Sequence, residues 1–585
     1  MDRKPHHQEE PYFVRWTYNY PKKTFFPFSQ TAIMTPQPDQ GLLPGKFRSN
    51  LLMKTLLLIC TFAIVYYLYF LKTYNRTTLT VLLVPMYRAH VLPEHEPTEI
   101  PFGERPIEDV MRSLWDDLPT PGNFRSIQNC SSGRHSVVEL EQPRAQYCVG
   151  DTLNVLVNTR DYRGTPKVYG GDLILARIHS PELQASASGE VTDLRNGSYR
   201  VRFHLFWPGN VQVAVILVHS SEAVQILRRI SAHNYDKIIY TGTFYNGSKR
   251  EESRCGVRLK TDKSLCEYGR KEDAEYYACF RPATLPCNTL RTMRSRYATI
   301  PNLRRDEYQL LSPLHTGIHM RNRFAPVNVS SCPAGPRRPT EKCVAGFDFM
   351  SPLPTGYFFK NRWSSSVCQN GNFFSADAIS RCLKGKKLKI IGDSTARQWQ
   401  ERLTQTLKGL KYIPPYHRQY SGLAVDPQLN ITVQWKMHAH PFINGYNVVK
   451  DECRYVSREL DTLAVGDLLV IGLGQHFRAF PLEIFTQRLI NIRKAILRLQ
   501  ARDPQAFVVI KMENTREFGK QTVHLGDWYG YVQILALRKV FRDLKVVLVD
   551  AWDMTTAANT FAVHPDSMIV SNQISLALSH LCHDT

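Results

Sequence analysis

A serine stands where a predicted strand passes directly into a predicted helix. Residues 387–402 read KLKIIGDSTARQWQER, in which the apolar run Leu388–Ile391 ends in Gly392-Asp393-Ser394. Such a junction places the Ser394 hydroxyl at the carboxyl end of a strand and at the positive end of a helix, where backbone N–H groups can stabilise an oxyanion. The triplet alone is a weak signal, but the strand and helix patterns around it predict a nucleophilic serine.

A serine nucleophile needs a general base, and two histidines follow predicted strands. His564 stands after the last predicted strand and before the last predicted helix, and we predict that it is the base. His476, in Gly-Leu-Gly-Gln-His-Phe at the end of another strand, is the alternative base. The N–H of Ser394 and the side-chain amide of Gln475 are predicted to donate hydrogen bonds to the oxyanion.

The chain after Lys384 alternates between strand and helix patterns. Strands are predicted at Leu388–Ile391, Ile431–Met437, Asp467–Leu473, Ala506–Met512 and Lys545–Asp550. Helices are predicted at Pro481–Gln500, where apolar residues recur at steps of four and three, and at Met568–Cys582. This alternation is typical of a parallel, doubly wound sheet with its active site at the carboxyl ends of the strands. Residues 385–585 are therefore predicted to form an α/β domain.

The rest of the chain divides into segments of different character. Residues 125–250 hold short alternating strands separated by Gly and Asn turns, which predicts an Ig-like β-sandwich. Residues 251–384 are rich in Cys and Pro with little periodicity, and loops tied by disulfides are expected there. Residues 73–124 are predicted to be a stem, and residues 1–53, polar and Pro-rich, a disordered cytosolic tail.

One segment has membrane character. Thr55–Leu71 contains no charge and lies between Lys54 and Lys72. A cleaved signal peptide is the alternative, but the run ends in aromatic residues without a small-residue cleavage site. We predict an uncleaved signal anchor over 54–72 with the amino end in the cytosol, a single-pass type II protein of the Golgi or secretory pathway. Cleavage of the anchor would give a secreted protein instead.

Glycosylation sequons and cysteines favour a lumenal chain. All six Asn-x-Ser/Thr sequons follow the apolar run: Asn75, Asn129, Asn196, Asn246, Asn328 and Asn430. Of the 13 cysteines, Cys60 lies in the predicted membrane segment, which leaves twelve for an oxidising lumen. Zinc binding is the competing use of cysteine, but no CxxC pair occurs. Disulfides are therefore favoured, and no metal site is predicted.

The formal net charge is +22, so a polyanionic partner is expected. Nucleic acid is excluded as that partner because the chain is predicted to be lumenal and carries no nucleic-acid motif. Sialylated or sulfated glycans, a phosphorylated acyl donor or the membrane surface fit better. No bound cofactor is expected.

Two regions together resemble a known family. Gly392-Asp393-Ser394, the strand-end His476 segment and the late histidine resemble the PC-esterase branch of the GDSL/SGNH hydrolases. The preceding sandwich, with its Tyr-Gly-Gly-Asp segment at Tyr169, is similar to neurexophilin. The combination resembles the neurexophilin and PC-esterase domain (NXPE) family. The resemblance implies acyl-ester chemistry on glycans, with Ser394 as nucleophile and His564 as general base.

The chain departs from the superfamily at the triad acid. The aspartate that usually lies three residues before the histidine is replaced by Phe561. Asp553 is predicted to substitute for it, with Asp550 as the alternative acid and the expected helix cap. A Ser–His dyad, or a degenerate site in a lectin-like or signalling protein, are the other readings.

The resemblance implies three functions that the sequence cannot separate. The first is a lumenal O-acetyltransferase that uses acetyl-CoA as donor and sialic acid on glycoproteins as acceptor. The second is a glycan O-acyl esterase, which would share the acyl-enzyme and differ only in whether water attacks it. The third is an inactive, neurexophilin-like binding protein. Placement in a biosynthetic compartment favours transfer.

Overall fold

The computed structural model describes residues 103, 105–233, 237–300, 302–332, 339–346, 354–415, 417, 419–519 and 521–582. Helix α1 covers Ile107–Asp117. Eight strands follow: β1 (Val137–Leu140), β2 (Tyr147–Cys148), β3 (Thr152–Asn158), β4 (Leu173–Ser180), β5 (Ala185–Ser188), β6 (Glu190–Asp193), β7 (Ser198–His204) and β8 (Gly209–His219). Helix α2 (Ser221–His233) ends this region.

The middle of the chain is built from short strands. The first five are β9 (Ile238–Asn246), β10 (Lys249–Gly256), β11 (Leu265–Arg270), β12 (Glu275–Phe280) and β13 (Leu290–Tyr297). Helix α3 (Arg305–Leu310) precedes β14 (Ile318–His319), β15 (Arg321–Asn322), β16 (Val327–Ser330), β17 (Gly356–Phe359) and β18 (Arg362–Ser365). Helix α4 covers Ala376–Leu383.

Strands and helices alternate in the last third. The strands are β19 (Lys387–Gly392), β20 (Lys411–Tyr412), β21 (Ser421–Asp426), β22 (Ile431–Met437), β23 (Val448–Val449), β24 (Leu468–Gly472), β25 (Phe507–Lys511) and β26 (Val547–Val549). The helices are α5 (Ser394–Thr406), α6 (Val456–Asp461), α7 (Leu482–Arg502), α8 (Thr522–Leu525), α9 (Asp527–Phe541), α10 (Ala551–Ala558) and α11 (Ser567–Leu581).

The predicted β-sandwich is present and is larger than expected. One sheet has the order β15-β1-β3-β7-β6 and the other β18-β17-β5-β4-β8-β16-β2. Their apolar residues share one core, and β3 alternates strictly between buried and half-buried residues. Strands β14–β18 come from beyond 125–250, where the sequence gives segments too short to show an alternating pattern.

The Cys-rich segment is not mainly loops, as expected, but contains an antiparallel sheet. Its strand order is β11-β12-β10-β9-β13-β23. The sequence hides these strands because one side of the sheet is exposed and charged: β10 reads KREESRCG. Disulfides join Cys255 to Cys279 on paired strands and Cys266 to Cys287.

Five disulfides among the described residues confirm the prediction that the cysteines form bridges. Besides the two in the antiparallel sheet, they are Cys148–Cys332, Cys343–Cys368 and Cys382–Cys582. Cys130 and Cys453 are unpaired. Such bridges are typical of proteins that fold in an oxidising compartment.

The last domain is the predicted parallel sheet. Strands β22-β19-β24-β25-β26 are parallel in that order, and β20 and β21 extend the edge beside β22 in antiparallel fashion. After β19 the chain first adds β20, β21 and β22 towards one edge of the sheet, and later adds β24, β25 and β26 towards the other edge. A crevice forms at such a switch point because helices leave towards opposite faces, and ligands bind there in open α/β sheets. Ser394 follows β19 directly.

The membrane prediction falls outside the described residues. The predicted tail and anchor and most of the stem before residue 105 lie outside the described residues and stay predictions. The described part of the predicted stem, residues 105–124, contains α1, whose Val110 and Leu114 are buried. No helix in the described ranges combines the length and apolar character that crossing a bilayer requires. The five sequon asparagines that the structure describes, from Asn129 to Asn430, are all exposed.

Candidate active site

Ser394 is the first residue of α5, and the turn before it is fixed by Asp393. The Asp393 carboxylate caps the helix, accepting hydrogen bonds from the Thr395 N–H at 2.9 Å and the Thr395 hydroxyl at 2.7 Å. A Cβ on Gly392 would lie 1.9 Å from the Gly472 carbonyl oxygen on β24, so only glycine fits there. The close strand contact and the cap together leave the Ser394 hydroxyl partly exposed at the sheet edge.

The structure brings His564 to Ser394. The two lie 170 residues apart in sequence, and the distance from His564 Nε2 to Ser394 Oγ is 2.7 Å. His564 lies in the turn between α10 and α11, and Asp566 caps α11 by accepting from the Ile569 N–H at 3.1 Å. Partial burial lowers the pKa of His564 below its usual 6.5, which Asp393 only partly offsets. A neutral imidazole at neutral pH can accept the serine proton.

The turn that carries His564 is held through its backbone from three sides. Gln398 of α5 donates from Nε2 to the Pro565 carbonyl at 2.9 Å. Asn514, after β25, donates from Nδ2 to the Val563 carbonyl at 3.3 Å. Glu517 accepts from the Val563 N–H at 3.1 Å. The position of the imidazole is therefore set by residues on the nucleophile helix and on the loop after β25.

Glu517 is the residue that sequence reasoning missed. It contacts the backbone beside His564, and its negative charge acts to raise the pKa of His564. No motif points to it, because its partner is a backbone N–H 46 residues later in the chain. The neighbouring Phe518 packs against Phe561, with ring centroids 4.3 Å apart. Phe561 thus ties the same two loops together by apolar contact.

Replacing Glu517 by glutamine removes the charge and keeps an oxygen that can accept from Val563. The pKa of His564 should fall further, so the acid limb of the pH–rate profile should move to lower pH. The shift should be about half a pH unit, the size of a weak interaction between partly exposed charges. Steady-state rates between pH 4 and 8 measure it.

Glu272→Gln, at an exposed position in the turn between β11 and β12, is the matched control and should leave the profile in place. Glu517→Ala, which also loses the acceptor for Val563, should lower kcat more than the glutamine variant does. A profile that does not move in either Glu517 variant would show that this carboxylate has no influence on the base.

Asp553 does not support His564, and the prediction that it is the triad acid is corrected. Its carboxylate accepts hydrogen bonds from the Ser188 hydroxyl and, at 2.6 Å each, from the N–H and hydroxyl of Thr355. Burial and the nearby Asp550 raise the pKa of Asp553 to about 6. The physical reason is helical geometry: Asp553 lies in the first turn of α10, where its side chain meets β5 of the sandwich.

Asp550 has the capping role that was expected of it. Its carboxylate accepts from the Asp553 N–H at 2.9 Å and forms an ion pair with Arg538. Among the described residues, no hydrogen bond joins Asp550 or Asp553 to His564. The geometry within the described chain is therefore that of a Ser–His pair.

His476 forms a hydrogen bond with the buried His438 rather than with Ser394. His476 Nδ1 is 2.9 Å from His438 Nε2, and His438 Nδ1 is 2.9 Å from the Ala439 carbonyl. Burial lowers the pKa of His476 to about 4 and that of His438 to about 3. In the part of the chain that the structure describes, no hydrogen bond joins His476 to Ser394. By their contacts, His564 is therefore the better candidate for the base than His476.

Asp393 is the charged centre beneath the nucleophile. Burial alone would raise its pKa, but the charges of His476 and Lys511 and the bond to Thr395 bring it below the usual value. Lys511 donates to the Thr395 hydroxyl at 3.1 Å. Asp393 also accepts from the Gln475 N–H at 3.2 Å, which links the loops after β19 and β24. These contacts give Asp393 a structural role in the turn that carries Ser394.

The candidate oxyanion donors lie on these two loops. The Ser394 N–H belongs to the first turn of α5 and has no partner within the helix. Gln475 uses its side chain elsewhere: Nε2 donates to the Asn514 carbonyl at 3.1 Å and Oε1 accepts from Arg516 at 3.3 Å. The backbone N–H of Gln475 donates to Asp393, so among the described residues only the second N–H of its side-chain amide has no hydrogen bond.

A buried ion network fixes the loop that carries Gln475 and His476. Arg478 is fully buried and contacts Glu513 at 2.5 Å and Asp527 at 2.7 Å. Gly474 has φ +146°, and a Cβ there would lie 2.1 Å from Glu513. A larger residue would push this loop away from the network. The loop is therefore rigidly placed beside Ser394.

The arrangement is suited to acyl transfer through a serine ester. A neutral imidazole hydrogen-bonded to a serine at a helix N-terminus can deprotonate the hydroxyl as it attacks a carbonyl. Backbone N–H groups of the helix start lie where negative charge would develop on the carbonyl oxygen. Carboxylate support for the imidazole comes through the backbone from Glu517 rather than from a directly bonded aspartate.

Two family descriptions match successive parts of the chain. "Neurexophilin" matches residues 104–312, and "NXPE family member 4-like, C-terminal domain" matches residues 363–582. The chain belongs to the NXPE family. The C-terminal match of this NXPE protein includes both Ser394 and His564, whereas the neurexophilin match runs from α1 to α3.

A solved structure was also found for comparison with this NXPE protein. It is Axe2, an acetylxylan esterase from Geobacillus stearothermophilus, at 16% sequence identity and a TM-score of 0.19. The match covers 34% of the NXPE chain and 93% of the esterase. At that score the likeness is too weak to support a functional argument.

Proposed function

We propose that this NXPE protein is a glycan O-acetyltransferase with a serine acyl-enzyme mechanism. The observation that carries the proposal is the 2.7 Å contact between Ser394 Oγ and His564 Nε2. It joins two residues from distant parts of the chain at the carboxyl edge of a parallel sheet, where such folds bind ligands. Acetyl-CoA is the proposed donor, and sialic acid on glycoproteins is the proposed acceptor.

The reaction would proceed in two halves. His564 takes the proton of Ser394 while Oγ attacks the thioester carbonyl, and the N–H of Ser394 with the free amide N–H of Gln475 stabilises the oxyanion. The thiolate leaves with the proton from His564, which gives an acetyl-serine and a free thiol. In the second half His564 deprotonates a sugar hydroxyl, that oxygen attacks the ester, and Ser394 is released with the proton.

Positive charge near the site supports anionic reactants. Arg397 and Arg516 both act electrostatically on His564, and the whole chain carries a formal charge of +22. A phosphorylated donor and a carboxylate-bearing sugar would both be attracted to such surroundings. Hydrolysis would use the same acyl-enzyme, and only exclusion of water separates the two reactions.

An assay with purified full-length protein and radiolabelled acetyl-CoA tests the proposal. Label should appear on sialylated glycoprotein and not on the desialylated form, and a fluorophosphonate probe should label Ser394. Release of free acetate without label on the glycan would make the protein an esterase. Absence of both label and probe reaction would favour a non-enzymatic binding protein.

We also propose that the described domains are lumenal and anchored in a Golgi or secretory-pathway membrane by residues 54–72. The five disulfides and the exposed sequon asparagines support this placement. Endoglycosidase should lower the apparent mass, and protease added to sealed microsomes should remove only the tail before about Lys54. Digestion of the bulk of the chain would show that the proposed orientation is wrong.

A further inference from the structure

A cavity lies between the sandwich and the α/β domain, apart from Ser394. Its volume is 540 Å³, within the range of small-molecule sites. Its walls come from α1, from β4 and β6 of the sandwich, and from α9 and α10. Ser394 does not line it. Helix α10 follows β26, which is three strands, or about 14 Å along the sheet, from the β19 that precedes the serine.

Aromatic rings form much of the wall. Trp115 and Trp528 are stacked with ring centroids 6.4 Å apart, and Tyr531 and Trp552 line the same cavity. Flat, amphipathic rings of this kind supply apolar contact area together with polar edges. A ligand with an apolar face and polar rim, such as a pyranose ring with its C–H face and hydroxyls, is complementary to this lining.

The carboxylates of the wall already have partners. Asp172 accepts from the Tyr199 hydroxyl at 2.8 Å and the Ser221 N–H at 2.7 Å, and Asp193 accepts from the Gly171 N–H at 2.7 Å. Asp550 is paired with Arg538. These carboxylates are therefore already engaged and do not favour a cationic ligand. An anionic ligand would meet six lining carboxylates against three lining arginines, which is unfavourable on balance.

A hydroxyl and a guanidinium on the wall can make hydrogen bonds to a ligand. The Thr556 hydroxyl is buried and has no partner among the described residues. Buried hydroxyls normally have one, so an unpaired hydroxyl on a cavity wall indicates a site for a polar ligand group. The Arg228 guanidinium lies over the Trp115 ring at 4.6 Å on the same wall, where its N–H groups can donate to a hydroxyl oxygen.

We propose that this cavity binds a neutral pyranose residue of a glycan, independently of any chemistry at Ser394. The sugar has two sources. Arg195 lines the cavity, and the exposed Asn196 beside it begins a glycosylation sequon, so the protein's own N-glycan can supply the sugar. A glycan on another molecule is the second source. The shared chemistry is an uncharged ring with hydroxyl groups.

Ligand-observed NMR with full-length protein tests this site. Methyl β-galactoside and methyl N-acetyl-β-glucosaminide should show saturation transfer with a Kd on the order of 1 mM, as expected for ligands of this size. Leu535→Trp, which fills the cavity, should abolish the signal, and Leu497→Trp, at an exposed position on α7, should keep it. If the tryptophan variant does not fold, Thr556→Val and Tyr531→Phe replace it as the test. Each of them should weaken binding several-fold.

The arms of the experiment separate the sources and the alternatives. Binding that appears only in Asn196→Gln protein identifies the protein's own glycan as the occupant, and binding in both forms identifies an external glycan. Ser394→Ala protein should bind the sugars as the wild type does, because the loss of acyl transfer does not affect the cavity. Absence of signal from both sugars in both forms, retention in Leu535→Trp, or binding of only sialic acid or choline would overturn the proposal.

Discussion

Replacement of Ser394 by alanine is expected to lower acetyl transfer by about 10⁴-fold or more while the protein stays folded. The change removes one hydroxyl at the start of α5, and the cap made by Asp393 on Thr395 does not involve it. Without the nucleophile no acetyl-serine can form, and the residual rate is that of a reaction assisted only by binding and by the oxyanion donors. Initial rates of transfer measure the loss.

Ser264→Ala is the matched control for the serine variant. Ser264 is exposed directly before β11, and its replacement should leave both rate and thermal midpoint unchanged. The Ser394 variant should also fail to react with a fluorophosphonate probe. Full activity in purified Ser394→Ala protein, free of contaminating esterase, would end the acyl-enzyme hypothesis.

The parallel sheet was predictable because its strands are continuous apolar or alternating runs. Strand β22 has the predicted bounds, Ile431–Met437, and β24 and β25 differ by one residue at each end. Strands β14–β18 escaped prediction because they hold two to four residues and gain their pairing from β1, β5 and β8 or, for β18, from β17. Tertiary contact rather than local pattern makes such segments strands.

A residue of the candidate site was predictable only if a motif marked it or if it followed a strand at the edge of the sheet where the active site lies. Ser394 follows β19, and His564 lies before the last helix, so both meet at the sheet edge. The support of the base was not predictable. Asp553 begins from the right strand end, but the turn of α10 directs it to Ser188, whereas Glu517 acts through the backbone of Val563. Sequence patterns do not encode a contact to a distant backbone N–H.

Replacement of His564 by alanine is expected to lower kcat by about 10²–10⁴-fold, because a positioned general base is lost. The residue lies in a turn and keeps an exposed edge, so the thermal midpoint should change little. In the wild type, the rate requires neutral imidazole. It should therefore fall as the pH drops through the pKa of His564, which lies below 6.5.

The pH–rate profile separates His564 from the histidine buried beside it. In His564→Ala protein the acid limb should disappear, because no group that titrates in that range remains on the serine. His476→Gln should keep the limb where it is, since His476 bonds to His438 and its own pKa of about 4 lies lower. An acid limb that survives in His564→Ala and is lost in His476→Gln would assign the base to His476. The 2.7 Å contact with Ser394 would then be a resting contact, exchanged for His476 when the acyl donor binds.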